Sequence, residues 1–429
     1  MNTHKIYDVV TTIGFFLFAG GLVISKFAVT LGIIFLALTA PLILLSRKIK
    51  IKRHSLKPFY ALVLTFLMLS VSALYSSNQN NGFHELIIQN GLSTLPILFF
   101  IHWAQFKRRV IQITQFLFFI AAIASVCTLI FYFAPVDIAK GWTNRFSIFQ
   151  EYPEVINKTQ FGLYSPFIDR LHFAYALSFC VISSLYLSFR TDKWIYKILC
   201  GFFLFIILIL GARGAQLALL FSCLPFLVYQ LKSTHPEMKI FSWHSLVFSI
   251  SFLLVVPVIT YELIPSVKSR YNQMRWELDV IKDGSYINHD YQHFTTLTRL
   301  KSFEHSIDII KDNPVFGTGI GDVENDLWTI HKDKSPNIPA HHQNYYLYLW
   351  MAGGIVTLVV FVAFQCFWLQ NFIKMDNSIL NKSFAVSYSI FVAAILLIDA
   401  VMKYHLGVFG IPFFFMVIMA FSESPQIKN

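Results

Sequence analysis

Long apolar stretches separated by short polar connections dominate the chain. A helix needs about 20 mainly apolar residues to cross a hydrocarbon core of about 30 Å. Windows of that kind recur about twelve times, near residues 7–25, 28–46, 58–76, 85–104, 111–134, 171–189, 194–210, 214–231, 243–262, 344–369, 383–402 and 404–421. Runs of this length without period-two alternation argue against a β-barrel, and no internal repeat is evident. The pattern predicts an all-α integral membrane protein with about twelve transmembrane helices. The first apolar run, residues 9–24, follows a short head containing Lys5 and has no small-x-small cleavage site, so it reads as an uncleaved first helix.

The polar connections set the orientation. Every second one is basic: Arg47, Lys48, Lys50, Lys52, Arg53 and Lys57; Lys107, Arg108 and Arg109; Arg190 and Lys193; Lys232 and Lys239; Lys374 and Lys382. Short basic loops are held on the cytoplasmic side, which predicts that both termini are cytoplasmic. Two of the alternate, extracytoplasmic connections are long, residues 135–170 and 263–342. The expected organisation is residues 1–262 as transmembrane helices 1–9, residues 263–342 as a large outer loop carrying the chemistry, and residues 343–429 as helices 10–12.

The second loop is too rich in Trp, Tyr and Ile for disorder. Within it, Thr295 or Thr296 can cap a helix whose apolar residues Leu300, Phe303, Ile307 and Ile310 fall on one stripe, ended by Asn313-Pro314. This predicts an amphipathic helix docked on the bundle. Gly317-Thr318-Gly319-Ile320-Gly321 follows. No strand precedes it, so a close-packed turn is expected in place of a nucleotide-binding loop.

Composition agrees with this picture: 56% hydrophobic and 13% charged residues lie far outside soluble usage. The formal charge of +11 is mostly the topogenic signal plus attraction to anionic membrane lipids, so nucleic acid binding needs no invoking. Cys127, Cys180, Cys200, Cys223 and Cys366 all fall in apolar runs and read as packing residues. No CxxC or HExxH occurs. His289 and His293 have i, i+4 spacing but sit among Gly284, Asn288 and Asp290, which suggests a turn in place of a metal-binding helix. No cofactor is expected.

Six residues could carry chemistry. Arg213, in Gly211-Ala212-Arg213-Gly214-Ala215, occupies a very short outer connection between two apolar runs. A charge there is costly, so either a partner anion retains it or it snorkels to the headgroups. Arg299 stands early in the docked helix, where the helix dipole disfavours a cation. It could turn toward Arg213 and complete a two-arginine clamp for a diphosphate; the alternative is a solvated surface residue. His341 and His342 precede the span that begins near Asn344, where an imidazole can titrate and act as a general base or simply join the aromatic belt with Tyr345, Tyr346 and Tyr348. Arg170 and His172, at the mouth of the sixth span, could line the same cavity. Asp322, Glu324 and Asp326 follow the glycine turn and read as a solvated loop.

These residues fall in three motifs: a Gly/Ser-x-Arg-Gly element at Gly211-Ala212-Arg213-Gly214, an Arg-led helix ending in Pro-x-x-Gly-x-Gly at Arg299 to Gly319, and a His-led span from His342 to Gly353. In them the chain resembles the O-antigen ligase and polymerase superfamily, bacterial inner-membrane glycosyltransferases with a lipid-linked donor. The resemblance covers most of the chain and implies a GT-C-like fold with a large periplasmic loop. It also implies Arg213, Arg299 and His342 as catalytic residues. An Asn often directly follows the family's His, whereas here the order is His341-His342-Gln343-Asn344, so either histidine could be in register; the distance to Gly353-Gly354 favours His342. The implied reaction is metal-independent, inverting transfer of a glycan from undecaprenyl diphosphate to an acceptor hydroxyl on the lipid A core or another glycan. Arg170, His172 and His341 would then bind substrate.

The motifs do not separate ligases from polymerases, and protein O-oligosaccharyltransferases share the late motif, though their chains are usually longer. A secondary transporter is the alternative from another class. It would carry inverted repeats and ionisable residues at mid-span, whereas the midpoints near residues 36, 67, 122 and 356 are apolar.

Overall fold

Apolar side chains that would be buried in a soluble protein stand on the outside of this one: Phe27, Leu38, Leu45 and Phe119 are all more than half exposed. In a bilayer such a surface is solvated by lipid tails, and the backbone satisfies its own hydrogen bonds by forming helices. A computed structural model describes residues 3–45, 57–133, 165–232, 258, 261–262, 265–284, 295–334, 342–375 and 378–423. All regular structure among them is helical.

Six helices come first: α1 (Thr3–Ile24), α2 (Lys26–Leu45), α3 (Lys57–Tyr75), α4 (Gln79–Gln89), α5 (Gly91–Ile101) and α6 (Trp103–Phe133). After them come α7 (Arg170–Thr191), α8 (Trp194–Leu210), α9 (Arg213–Ser222) and α10 (Leu224–Lys232). The segment between the expected ninth and tenth spans supplies α11 (Pro265–Lys282), α12 (Thr295–Asp312) and α13 (Val323–Lys334). The chain closes with α14 (Tyr345–Met375), α15 (Ile379–Ile398), a 3-10 turn (Val401–Lys403) and α16 (His405–Glu423).

Among the described residues nine helical stretches are long and apolar enough to cross a membrane, α4 and α5 together making one of them. Two shorter apolar stretches, Trp194–Leu210 and Arg213–Tyr229, match the expected seventh and eighth spans. Most of the expected span 243–262 lies outside the described residues, as do His289, His293 and His341.

Helices α7 and α16 form the centre, each 89% buried against about half for most others. Lipid tails are as apolar as leucine, so packing quality holds such helices together where water exclusion cannot. Here aromatic rings do much of this. Phe179 of α7 stacks on Phe414 of α16 with centroids 3.8 Å apart, and Tyr186 stacks on Phe384 of α15 at 4.3 Å. The Tyr175 and Tyr388 hydroxyls hydrogen-bond to each other, leaving neither without a partner in the apolar interior.

The glycine-rich turn after α12 is a plug, as its spacing suggests. It wedges into a break in α14, where Gly353 and Gly354 leave helical geometry. The Thr318 amide donates to Met351 O at 2.8 Å, and the Ile355 amide donates to Pro314 O at 3.1 Å. The Trp350 indole also donates to Pro314 O, at 2.9 Å. On the other side the Gly321 amide donates to Ser76 Oγ at 3.0 Å, and Tyr75 Oη donates to Phe316 O.

Two expectations about this segment are corrected. The stripe Leu300–Phe303–Ile307–Ile310 is not as a whole the docked face of α12, since of these only Ile310 is buried. Leu300 and Ile307 are about half exposed, while Leu297, Thr298, Ser302, His305, Ser306, Ile309 and Ile310 are buried. Against a membrane protein's outer rim the close-packed face takes small polar residues, and the apolar residues can turn outward. The carboxylates after the turn are not a solvated loop either. Asp322 is buried and caps the start of α4, accepting the Ser77 amide at 2.6 Å and the Asn78 amide at 2.9 Å. Glu324 and Asp326 occupy the first turn of α13, where the helix dipole favours them.

Gly354 sits at φ +73° and ψ −175°, a region essentially reserved for glycine. An added Cβ would lie 1.8 Å from Val315 O. Gly354→Ala is expected to cost more than about 3 kcal/mol, read as a large fall in thermal unfolding temperature in detergent. Gly201→Ala, in the middle of α8 where a Cβ meets nothing within 4 Å, should be neutral or stabilising by up to about 1 kcal/mol.

Candidate functional site

The N-termini of α7, α9 and α14 and the C-terminus of α15 meet beneath α12 at one end of the bundle. Arg213 begins α9 two residues after Gly211, which turns the chain at φ +64°. This places a guanidinium at a helix N-terminus, where the helix dipole offers it no help. Its charge is opposed by Glu277 of α11 and crowded by Arg299 and Arg170. Three cations thus lie within electrostatic range of one another, an arrangement suited to an anion bearing more than one charge.

Arg299 lies in the second turn of α12. Its Nη2 donates to Asp399 Oδ1 at 2.7 Å, and its Nε donates to Gln343 Oε1 at 3.3 Å. Two of the five guanidinium donors are thereby used, and the side chain remains about one-third exposed. Helix α12 is held from its N-terminus as well, since Glu277 Oε2 accepts the Thr296 amide at 2.7 Å. The first turn of α12 is thereby tied to α11; the Thr295 side chain, one of the two cap candidates, lies outside the described residues.

Asp399 is the residue that sequence reasoning passed over. It follows the last residue of α15 and is 3% exposed. Burial pushes its carboxyl above the ordinary value, with the Arg299 and Arg170 charges pulling against this. Its second oxygen, Oδ2, has no hydrogen-bond partner among the described residues and lies against Gly214. A Cβ at that glycine would come within 2.5 Å of it, so the small residue after Arg213 is what lets the carboxylate reach across. Asp399 therefore touches the Arg213 motif on one side and holds the Arg299 motif on the other. A usable signal existed: Asp399 falls within the expected span 383–402, and an ionisable residue there is a functional candidate.

The third motif joins through Gln343, the Arg299 partner next to His342. The His342 ring packs edge to face with Tyr348, centroids 5.4 Å apart. Arg170 and His172 reach the same end of the bundle. Asp169 caps α7 by accepting the Leu171 amide at 2.8 Å, and His172 Nδ1 pairs with its carboxylate at 3.3 Å. Burial would raise the Asp169 carboxyl, yet the His172 contact, the Leu171 amide and the Arg170 charge hold it down at about 2. Asp169, Arg170 and His172 all lie within electrostatic range of Asp399. Five of the six residues singled out from sequence thus gather at one end of the bundle, and His341 lies outside the described residues.

No group of three or more His, Cys, Asp or Glu residues suited to a metal ion occurs among the described residues.

Loss of Asp399 should loosen α12 at Arg299. In Asp399→Ala, amide hydrogen exchange over residues 295–302 is expected to rise by about tenfold or more while α16 stays protected. Unchanged exchange over those residues would show that Asp399 is not what fastens the helix.

A family model described as O-antigen ligase matches residues 198–362. The matched stretch contains Arg213, Arg299 and His342, whereas Arg170, His172 and Asp399 lie outside it. No curated protein matches the chain.

Proposed function

Because residues 198–362 match the O-antigen ligase family, we propose that this chain transfers a glycan from an undecaprenyl-diphosphate carrier to an acceptor hydroxyl at the outer face of a bacterial inner membrane. Ligation of O-antigen to the lipid A core is the favoured form of the reaction. One observation carries the proposal. Asp399 abuts Gly214 and binds Arg299, which in turn binds Gln343, so three motifs distant in the chain converge on one carboxylate.

The chemistry follows from the charges. The acceptor oxygen attacks the anomeric carbon as the bond from that carbon to the phosphate oxygen breaks. The bonding pair leaves on the lipid diphosphate. Arg213 and Arg299 stabilise the charge that builds there, with Arg170 adding to the field. The acceptor proton passes to His342, the base in this scheme. Direct displacement inverts the anomeric centre, and neither a metal nor a cofactor has a step to perform. Arg170, His172 and His341 border the substrate. Residues 263–342 then form the periplasmic loop, with both termini in the cytoplasm. The partners are the lipid-linked donor, a glycan acceptor and membrane lipids.

Polymerisation of lipid-linked repeats would use the same machinery with a different acceptor, as would transfer to protein. Reconstitution of the purified protein with a lipid-diphosphate glycan and each candidate acceptor separates these by product; absence of transfer to any acceptor would refute the reading. His342→Ala should lower the rate by about 10²- to 10⁴-fold with normal membrane insertion, and normal lipopolysaccharide laddering in that variant would count against the base. Arg213→Lys should be nearly as damaging, because an ammonium point charge cannot replace a bidentate fork. Activity that survives this swap would rule out the clamp.

A further inference from the structure

We propose that Glu85 of α4 positions the His342 imidazole, acting through the Tyr348 side chain. The inference rests on His342 serving as the base in the reaction above and identifies what holds it in place.

Glu85 lies within the membrane-spanning stretch Gln79–Ile101 and is 6% exposed. An acid there is costly, and where it persists it faces a partner. That partner is Tyr348, whose hydroxyl donates to Glu85 Oε2 at 3.2 Å. Tyr348 is 1% exposed, and its ring is the one that packs against His342. Lys403 closes the arrangement from another side. Its ammonium stands 6.0 Å from the Tyr348 ring centroid and pairs with Glu324 at 3.0 Å, and its charge also acts on Glu85.

One turn along α4 the pattern repeats with uncharged groups. Tyr345 Oη donates to Gln89 Oε1 at 2.9 Å, and Gln89 Nε2 donates to Met402 O at 2.9 Å. The Tyr345 and Tyr348 rings stack at 5.7 Å. Two rungs, four residues apart on α4 and three apart on α14, thus join these helices. The second rung extends to the 3-10 turn that begins two residues after Asp399. One face of α4 therefore fixes both the support of His342 and the backbone carrying the partner of Arg299.

A pair needed for stability alone would be served as well by apolar residues of similar volume. A tyrosine tethered at its hydroxyl has its ring plane fixed, and an imidazole lying edge to face against it is fixed from one side. Reacting groups displaced by about 1 Å can lose about 10²-fold in rate, which gives such a frame its value.

The test uses the full-length protein in lipid nanodiscs, with ¹⁵N-labelled histidine and the His342 signals assigned by their loss in His342→Ala. Glu85→Ala and Tyr348→Phe should each shift or broaden the His342 ring signals. Glu85→Gln, whose amide oxygen still accepts from Tyr348, should restore most of the native spectrum. In the transfer assay both disruptive variants should lose at least about tenfold in kcat, with KM for the lipid-linked donor within about twofold. The double variant should be no worse than either single one. His342 signals unchanged in all three variants, losses that multiply in the double variant, or a rate that merely follows the folded fraction would overturn the proposal. If the wild-type protein transfers no glycan, the functional reading fails while the spectra still decide whether Glu85 positions His342.

Discussion

A buried carboxylate in an apolar bundle must find a cation or stay protonated, and the site depends on how Asp399 resolves this. It takes Arg299 from α12, and the ion pair joins that helix to the end of α15. Burial of the carboxylate makes the contact costly to break. The carboxylate loses solvent it cannot recover elsewhere, and among the described residues the guanidinium gives up two of its five donors. An arginine that is anchored yet not saturated can meet an anion without first being ordered, so less entropy is lost on binding.

The glycine turn supplies the other constraint on α12. By pushing into the break at Gly353 and Gly354 it locks the far end of the helix to α14. The helix that carries Arg299 is therefore held at three places: its first turn by Glu277, its second turn by Asp399, and its exit by the plug. Such fixing matters when the work is electrostatic. Charges already in position cost no reorganisation when charge develops on a leaving group.

What the residues alone revealed and what they hid can be separated on physical grounds. The spans among the described residues are legible because a bilayer demands about 20 apolar residues in a row, a one-dimensional condition. Arg213 and Arg299 stood out for a similar reason: a cation in a tight apolar junction or near a helix N-terminus violates a local rule. Hydrophobic periodicity misplaces the buried face of α12 because it assumes water outside, whereas Leu300 and Ile307 are exposed and Ser302 and Ser306 pack inward. Asp322 reads as a loop residue because its role, capping α4 by accepting an amide 245 residues earlier, leaves no trace in its neighbours.

By itself the sequence determined the class of solvent, the helical architecture and the residue types able to meet a diphosphate, since each follows from composition and short-range spacing. Tertiary structure alone decided that Asp399 is the partner of Arg299, 100 positions away, that Gly214 makes room for that carboxylate, and that Glu85 stands behind the ring supporting His342. Those pairings arise where helix ends meet in space. Electrostatic need can be read along a chain, but the group that answers it is chosen by packing.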